Sequence, residues 1–323
     1  MSGKRVLVSG MGGDLGSRVA EVLEAEPWVD ELLGIDTDPP RRRLDRAQIH
    51  LASPRDHDRV VSLISAFNPH VAVHLSVWEP FSRVAPRTAR ELTDQAGISM
   101  LGAVAECRAL ESIVVRSGIE VYGRARGSAT RPDESAPIDP TCEFGHTLAR
   151  VEETARDIGR RIGVPVALVR LGNVLGPHVP SPLGRLLRMP AVPFSLLADP
   201  PFSVVEDVES ARAFVAAARR QLDGAVNVTA NGAITALQAL RRGGRFPVPL
   251  VGPEWSIAKR ASELLGAPIP DHVLEILHRG RLANNGRMRE LLGFSSERTT
   301  VEVIDDLYHW PSVIRIPARK RVA

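Results

Sequence analysis

Three patterns in this 323-residue chain predict an α/β fold built around a doubly wound parallel sheet. Short apolar runs that read as buried strands recur from the N-terminus to position 228. Segments with apolar residues at helical spacing alternate with them, the pattern of parallel strands joined by right-handed crossover helices. The first strand, Val6-Leu7-Val8, runs through glycines at 10, 13 and 16 into a helix whose apolar face is Val19, Ala20, Val22 and Leu23.

Strand, glycine turn and helix in that order point to a nucleotide site. Gly10 permits the tight turn, Gly13 lets backbone approach a pyrophosphate, and Gly16 lets helix and strand pack closely. Asp14 and Leu15, in the same turn, join the expected cofactor-binding set. The helix N-terminus offers its N–H groups and the positive end of its dipole to phosphates. The spacing is GxxGxxG, because Leu15 stands where the shorter GxGxxG pattern would end. A second strand, Leu32-Leu33-Gly34-Ile35, ends in Asp36, 20 residues past Gly16. That distance suits an acid on the adenosine ribose hydroxyls. A Rossmann-type domain follows as the expectation. Asp36 favours NAD over NADP, since a carboxylate repels a 2′-phosphate. The run Arg41-Arg42-Arg43 reads as a solvated charge cluster, with binding of that phosphate as its alternative.

The other elements come in order. Residues 48–51 form a third strand, 55–66 a helix closed by Asn68-Pro69, and 71–75 a fourth strand. A long helix over 86–110, a strand over 112–115, a helix over 145–163 and a strand over 166–169 follow. Past Leu171, prolines at 177, 180, 182, 190, 193, 200 and 201 suggest short helices and loops in a smaller, lid-like unit. A helix is expected over 204–220, a strand at 226–228, and helices near 234–242, 255–265, 271–278, 284–292 and 300–308. The expected organisation is an NAD-binding domain over 1–172, to which 202–228 returns. A smaller C-terminal substrate domain covers 173–201 and 229–316, before a disordered basic tail at 317–323.

Composition excludes several classes. Hydrophobic residues at 44% and charged residues at 24% suit a soluble globular protein. The net charge of +3 is small and no basic stretch is interleaved with aromatics, which argues against nucleic acid. No apolar run is long enough to span a bilayer. The chain enters its first strand directly, without a signal-peptide pattern. Two cysteines, Cys107 and Cys142, give neither a disulfide framework nor metal spacing. A cytoplasmic protein without a metal is the expectation.

Further segments carry a family resemblance. Val73-His74-Leu75-Ser76 ends the fourth strand, and Glu120-Val121-Tyr122-Gly123 follows the fifth. Leu168-Val169-Arg170-Leu171-Gly172-Asn173-Val174-Leu175-Gly176-Pro177 covers the sixth. Phe202-Ser203-Val204-Val205-Glu206-Asp207-Val208 and Val226-Asn227-Val228 come later. With the glycine turn, these resemble the extended short-chain dehydrogenase/reductases, the nucleotide-sugar epimerases and dehydratases, over nearly the whole chain. The resemblance implies NAD in the N-terminal domain and a nucleotide-diphosphate sugar between the domains. It implies cofactor contacts at His50 and Leu51, at His74, Leu75 and Ser76, and at Ser117. It also suggests a homodimer through the helices at 86–110 and 145–163.

The departures concern the chemistry. The family's acid–base pair is a Tyr with a Lys four residues on, and here these positions hold Phe144 and Leu148. The tyrosines are Tyr122 and Tyr308, and the lysines Lys4, Lys259 and Lys320, so no other register supplies the pair. The partner Ser or Thr falls at Gly118, His50 stands where an adenine-side Asp is expected, and Gln95 or Ala96 replaces a helix Asn. A phenol of pKa near 10 gives and takes a proton with help from the Lys cation. Phe and Leu can do neither, and general acid–base catalysis is worth roughly 10²–10⁴-fold. Glu120 is the first candidate substitute, the surviving member of an acidic pair found in family dehydratases. His146 is the second, although it lies two residues beyond Phe144. Glu143 and Cys142 flank Phe144. His74 reads better as a packed or cofactor-adjacent histidine, and Arg170 and Asn173 as holding structure or substrate. Three functions stay open: an NAD-dependent epimerase/dehydratase-like oxidoreductase, a non-catalytic NAD- or sugar-nucleotide-binding regulator or scaffold, and an NADP-type reductase on another substrate.

Overall fold

The computed structural model describes residues 3–251, 255, 260, 262 and 268–310. The strands in chain order are β1 (Lys4–Ser9), β2 (Val29–Asp36), β3 (Gln48–Leu51), β4 (Val71–His74), β5 (Ser112–Gly118) and β6 (Val166–Leu171). Then come β7 (Asn173–Leu175), β8 (Ala191–Ser195), β9 (Val204–Glu206), β10 (Gly224–Val228) and β11 (Phe246–Leu250). Seven of them form one parallel sheet in the order β10-β6-β5-β4-β1-β2-β3. The order reverses between β1 and β4, so a crevice opens at the carboxyl ends of those two strands. This is the doubly wound fold read from the sequence.

Both faces of the sheet are covered, because successive strand side chains point to opposite sides. Val6 and Val8 pack under α1 (Asp14–Glu24) and α7 (Asp207–Arg219), with Val73, Val114, Val169 and Phe214. Leu7 points the other way, towards α2 (His57–Phe67) and α5 (Glu143–Ile162), with Ile113 and Leu168. Asp56 caps α2 by accepting from the Arg59 N–H, and Asn68 ends it in the left-handed conformation.

The helix expected over 86–110 is broken. It begins as α3 (Pro86–Ala96), passes through a π-helical turn (Gly97–Leu101), and ends in α4 (Gly102–Ala105). The π turn starts at Gly97 and is followed by Gly102, both weak helix formers inside the stretch. Ala89 and Ala96 of α3, and Leu148, Val151 and Ala155 of α5, are buried within the chain. These residues pack within the chain, while Ile98 of the π-helical turn is 67% exposed. Between the same helices Asp94 and Arg150 form an exposed ion pair at 3.1 Å.

The region past Leu171 holds more strand than its prolines suggest. β7 pairs with β9 and β8 with β11. Runs this short offer little alternation to read. Pro193, Pro247 and Pro249 are tolerated because a two-stranded sheet leaves many N–H groups without a ladder partner. The helix expected from 204 starts only at Asp207, after β9. A second core gathers Leu183, Phe194, Phe202, Ile276 and Ile304. β10 and α7 return to the large sheet, and Met288 and Leu292 pack with its core rather than with the smaller one. The helix expected over 255–265 falls largely outside the described residues, and the tail 317–323 wholly outside them.

Candidate functional site

The crevice at the switch point is a cleft that opens to solvent. The glycine turn, the loop after β4 and the ends of β5 and β6 line it. Gly10 has φ +81, and a Cβ there would lie 2.7 Å from backbone atoms of Leu75 and Ser76. A Cβ on Gly16 would collide with the Gly10 carbonyl, so helix and turn meet backbone to backbone. Gly13 caps α1, and the nearest atom to a Cβ there is the Gly10 carbonyl at 3.4 Å. That leaves the space a phosphate needs beside the helix N-terminus. Leu15 lines the cleft, as do Leu75 and Ser76. Asp14 opens α1 and is ion-paired with Arg83 at 2.5 Å.

Asp36 stands at the end of β2 on the cleft wall. Its Oδ2 accepts from the Gly12 N–H at 2.8 Å and its Oδ1 from the Thr37 N–H at 2.6 Å. These bonds fix the carboxylate plane. Gly12 was not singled out from the sequence, yet a side chain there would strike the Asp38 carbonyl. The Gly12-Gly13 doublet was the signal. Two of the three arginines beyond are paired elsewhere: Arg42 with Glu21 at 3.4 Å, and Arg43 with Asp45 at 3.1 Å.

At the opposite end of the cleft stand Gly118, Glu120, Phe144, Leu148 and Asn173. Glu120 is buried, and its Oε2 fills the space a side chain on Gly118 would need. Its Oε1 lies 3.7 Å from Nη1 of the buried Arg281, which is itself ion-paired with Glu275. Phe144 and Leu148 give this end an apolar wall. Among the described residues the buried Asn173 Nδ2 has no partner, a donor left for a ligand.

Three further groups here escaped the sequence reading. Arg116 crosses the cleft floor and donates from Nη1 to the Val77 carbonyl at 2.9 Å. Burial pulls its pKa down, while Glu79 and Glu120 act in the opposite sense. Glu79 lines the cleft and meets Nε2 of the buried His272 at 3.1 Å. The His272 ring packs on Phe144, centroid to centroid 5.0 Å.

Other expected site residues lie elsewhere. His146 is exposed on α5 and does not line the cleft, because two residues on from Phe144 is about 200° round a helix. Glu143 is exposed and pairs with Arg90 at 3.5 Å. Cys142 caps α5, accepting from the Gly145 N–H, and burial pushes its thiol up to about 11. His50 and Leu51 sit on the edge strand, where they pair in register with Ile35 and Asp36, and neither lines the cleft. His74 is buried, with Nδ1 2.8 Å from the Ser9 hydroxyl, and burial lowers its pKa to about 4. It is a packed neutral histidine. Ser117 lines the cleft, but its hydroxyl donates to Glu152 at 2.6 Å. Arg170 holds Glu152 through two bonds of 2.8 Å and donates to Tyr122, which donates in turn to Asn227. Burial raises the Tyr122 pKa, and that hydroxyl serves structure. Among the described residues, no three His, Cys, Asp or Glu side chains gather to hold a metal ion, and no helix is long and apolar enough to cross a membrane.

A doubly wound sheet with a glycine cradle, an acid ending its second strand and a second lobe over the crevice defines a nucleotide-binding α/β protein. The model of the NAD dependent epimerase/dehydratase family matches residues 6–218, and the chain belongs to that family. Uncharacterised proteins of Mycobacterium tuberculosis and Mycobacterium bovis are 27% identical over 320 residues, covering 94% of this chain and 83% of theirs. The fold is similar to a UDP-glucose 4-epimerase of Thermotoga maritima solved with UDP-glucose, with TM-score 0.74, 16% identity, and 95% and 98% of the two chains covered. It is also similar to MoeE5 in complex with UDP-glucuronic acid and NAD, with TM-score 0.73, 20% identity and the same coverage. A dTDP-glucose 4,6-dehydratase of Bacillus anthracis in complex with NAD has TM-score 0.71 and 14% identity over 95% of this chain and 96% of that one.

Proposed function

We propose that the cleft holds NAD and acts on a nucleotide-diphosphate sugar lodged between the two lobes, with Glu120 in place of the family's tyrosine. Family membership and NAD-bound neighbours support the cofactor. So do the room beside Gly13 and the fixed carboxylate of Asp36. The pyrophosphate then lies on Gly10 to Gly16 and the adenosine ribose on Asp36. The ion pairs of Arg42 and Arg43, with the charge of Asp36, disfavour NADP. Bound NAD supplies hydride transfer from a sugar carbon. Glu120 takes the proton of the hydroxyl on that carbon through its carboxylate and returns it when the hydroxyl re-forms. Asn173 donates to the substrate from its unpartnered Nδ2.

The observation that carries this reading is the carboxylate of Glu120 over the bare Gly118, in the space of the missing hydroxyl side chain. The test incubates purified protein and NAD with UDP-, GDP- and dTDP-sugars, following nicotinamide absorbance and separating products by chromatography. Turnover that falls about 10²–10⁴-fold in Glu120→Gln supports the assignment. Turnover that survives this change transfers the role to another group, Glu79 first. NAD binding with neither redox change nor product favours a second reading, a regulatory or scaffold protein that binds the cofactor or a sugar nucleotide. The apolar wall of Phe144 and Leu148 speaks for that alternative.

A further inference from the structure

We propose that Arg83 retains the cofactor: carried on a strap across the mouth of the cleft, it masks the charge of Asp14 and faces the pyrophosphate of a bound dinucleotide. The inference rests on the reading of the cleft as a dinucleotide site. The strap is the stretch 79–84 after β4. It folds on itself through bonds from the Phe81 N–H to the Val84 carbonyl at 3.0 Å and from the Ser82 N–H to the Glu79 carbonyl at 3.1 Å. Glu79, Ser82, Arg83 and Val84 all line the cleft together with the glycine turn.

Arg83 spans the cofactor side of that opening. Its Nη2 lies 2.5 Å from Asp14 Oδ2 and its Nη1 3.8 Å from Asp38 Oδ2. Asp14 belongs to the first turn of α1, at the phosphate end, and Asp38 lies two residues past Asp36, at the ribose end. The other side of the strap is tied to the second lobe. Arg185, in α6 (Pro182–Leu187), donates from Nη2 to the Phe81 carbonyl at 2.7 Å. The strap thus joins the two lobes across the ligand's way in.

The need for a cation follows from Asp14. A carboxylate in the first turn suits the helix dipole. It also stands beside the space where two phosphate charges must come, and like charges at such range repel. Asp14 is 10% exposed and Arg83 28%, so solvent screens the pair only in part. With the guanidinium in place, the pair is neutral and the fork keeps N–H groups for phosphate oxygens. Without it, the helix start carries an uncompensated negative charge.

The test uses the whole protein with NAD, measuring affinity by calorimetry and release by stopped-flow displacement. Arg83→Met is expected to weaken binding by about tenfold or more, the scale of one charged hydrogen bond, and to speed release. Adding Asp14→Asn to Arg83→Met is expected to recover most of the lost affinity while release stays fast. Asp14→Asn alone is expected to tighten binding. Wild-type affinity and release in Arg83→Met overturn the proposal, as does a double variant no better than the single one. Unchanged or weaker binding by Asp14→Asn overturns the masking argument. Wild-type protein that binds no NAD sinks the cofactor reading itself, whereas binding that ignores Arg83 sinks only the strap.

Discussion

At Asp36 one carboxylate does two things. It accepts backbone N–H groups from Gly12 and Thr37, which hold its plane, and it keeps lone pairs for a ribose. Among the described residues it makes no ion pair, so its charge is left for the ligand. Asp36→Ala is expected to weaken NAD binding by about 1–3 kcal/mol, the scale of a lost charged hydrogen-bond partner. Calorimetric titration checks this, and unchanged affinity would relocate the adenosine end. The residues legible in the sequence were those fixed by local geometry: Gly10, Gly13, Gly16 and Asp36 come within one β-α-β unit. His272 and Glu79 are 193 positions apart and meet only when the second lobe docks. Glu120 was legible as a candidate. Its position over Gly118 was not, since a missing side chain leaves no mark of what fills its space.

Among the elements, α5 shows how packing can outlast a change of chemistry. Its first two turns present Phe144 and Leu148 to the cleft, while Val151 and Ala155 seal the sheet. Between them Glu152 is fully buried and locked to Arg170 of β6. Ser117 of β5 donates to the same carboxylate, and Tyr122 carries the network to Asn227 of β10. Burial opposes charge on Glu152, yet the Arg170 guanidinium holds its carboxyl below the usual range. Such a pair is weak as a net stabiliser but costly to halve. Arg156 also pairs with Glu152 at 2.8 Å, so Arg170→Met is expected to lose less than the roughly 3–5 kcal/mol of a fully orphaned buried charge in urea unfolding, and Glu152→Leu with Arg170→Met less again. Equal losses in the two would mean that no uncompensated charge is left behind. The sheet itself was legible because buried parallel strands are nearly continuous apolar runs. β7, β8, β9 and β11 were not, being short and, in β8 and β11, interrupted by proline.

For the whole molecule, the feature with the widest reach is His74, at the centre of the sheet beside the switch point. Burial holds it neutral, with its pKa lowered from 6.5 to about 4. Below about pH 6.5 the unfolded chain takes up a proton that the folded one refuses. Its contribution is therefore fully present above that pH and is lost as pH falls towards 4, by about 3 kcal/mol over the window. Urea midpoints at pH 7 and pH 4.5 read this directly. The His74→Asn variant, which keeps a polar neighbour for Ser9, is expected to show a flatter pH dependence across the interval.

The crowding between positions 118 and 120 also constrains the order in which this cleft can be rebuilt. A Cβ at 118 would lie 2.2 Å from the Glu120 Oε2, so a serine there requires the end of that side chain to move. Restoring a conventional tyrosine, lysine and serine is thus not a sum of independent steps. A library that varies positions 118, 120, 144 and 148 singly scores each intermediate against an intact neighbour that obstructs it. Paired changes at 118 and 120 remove that contact, so the effects of substitutions at the two positions are expected to depend on each other.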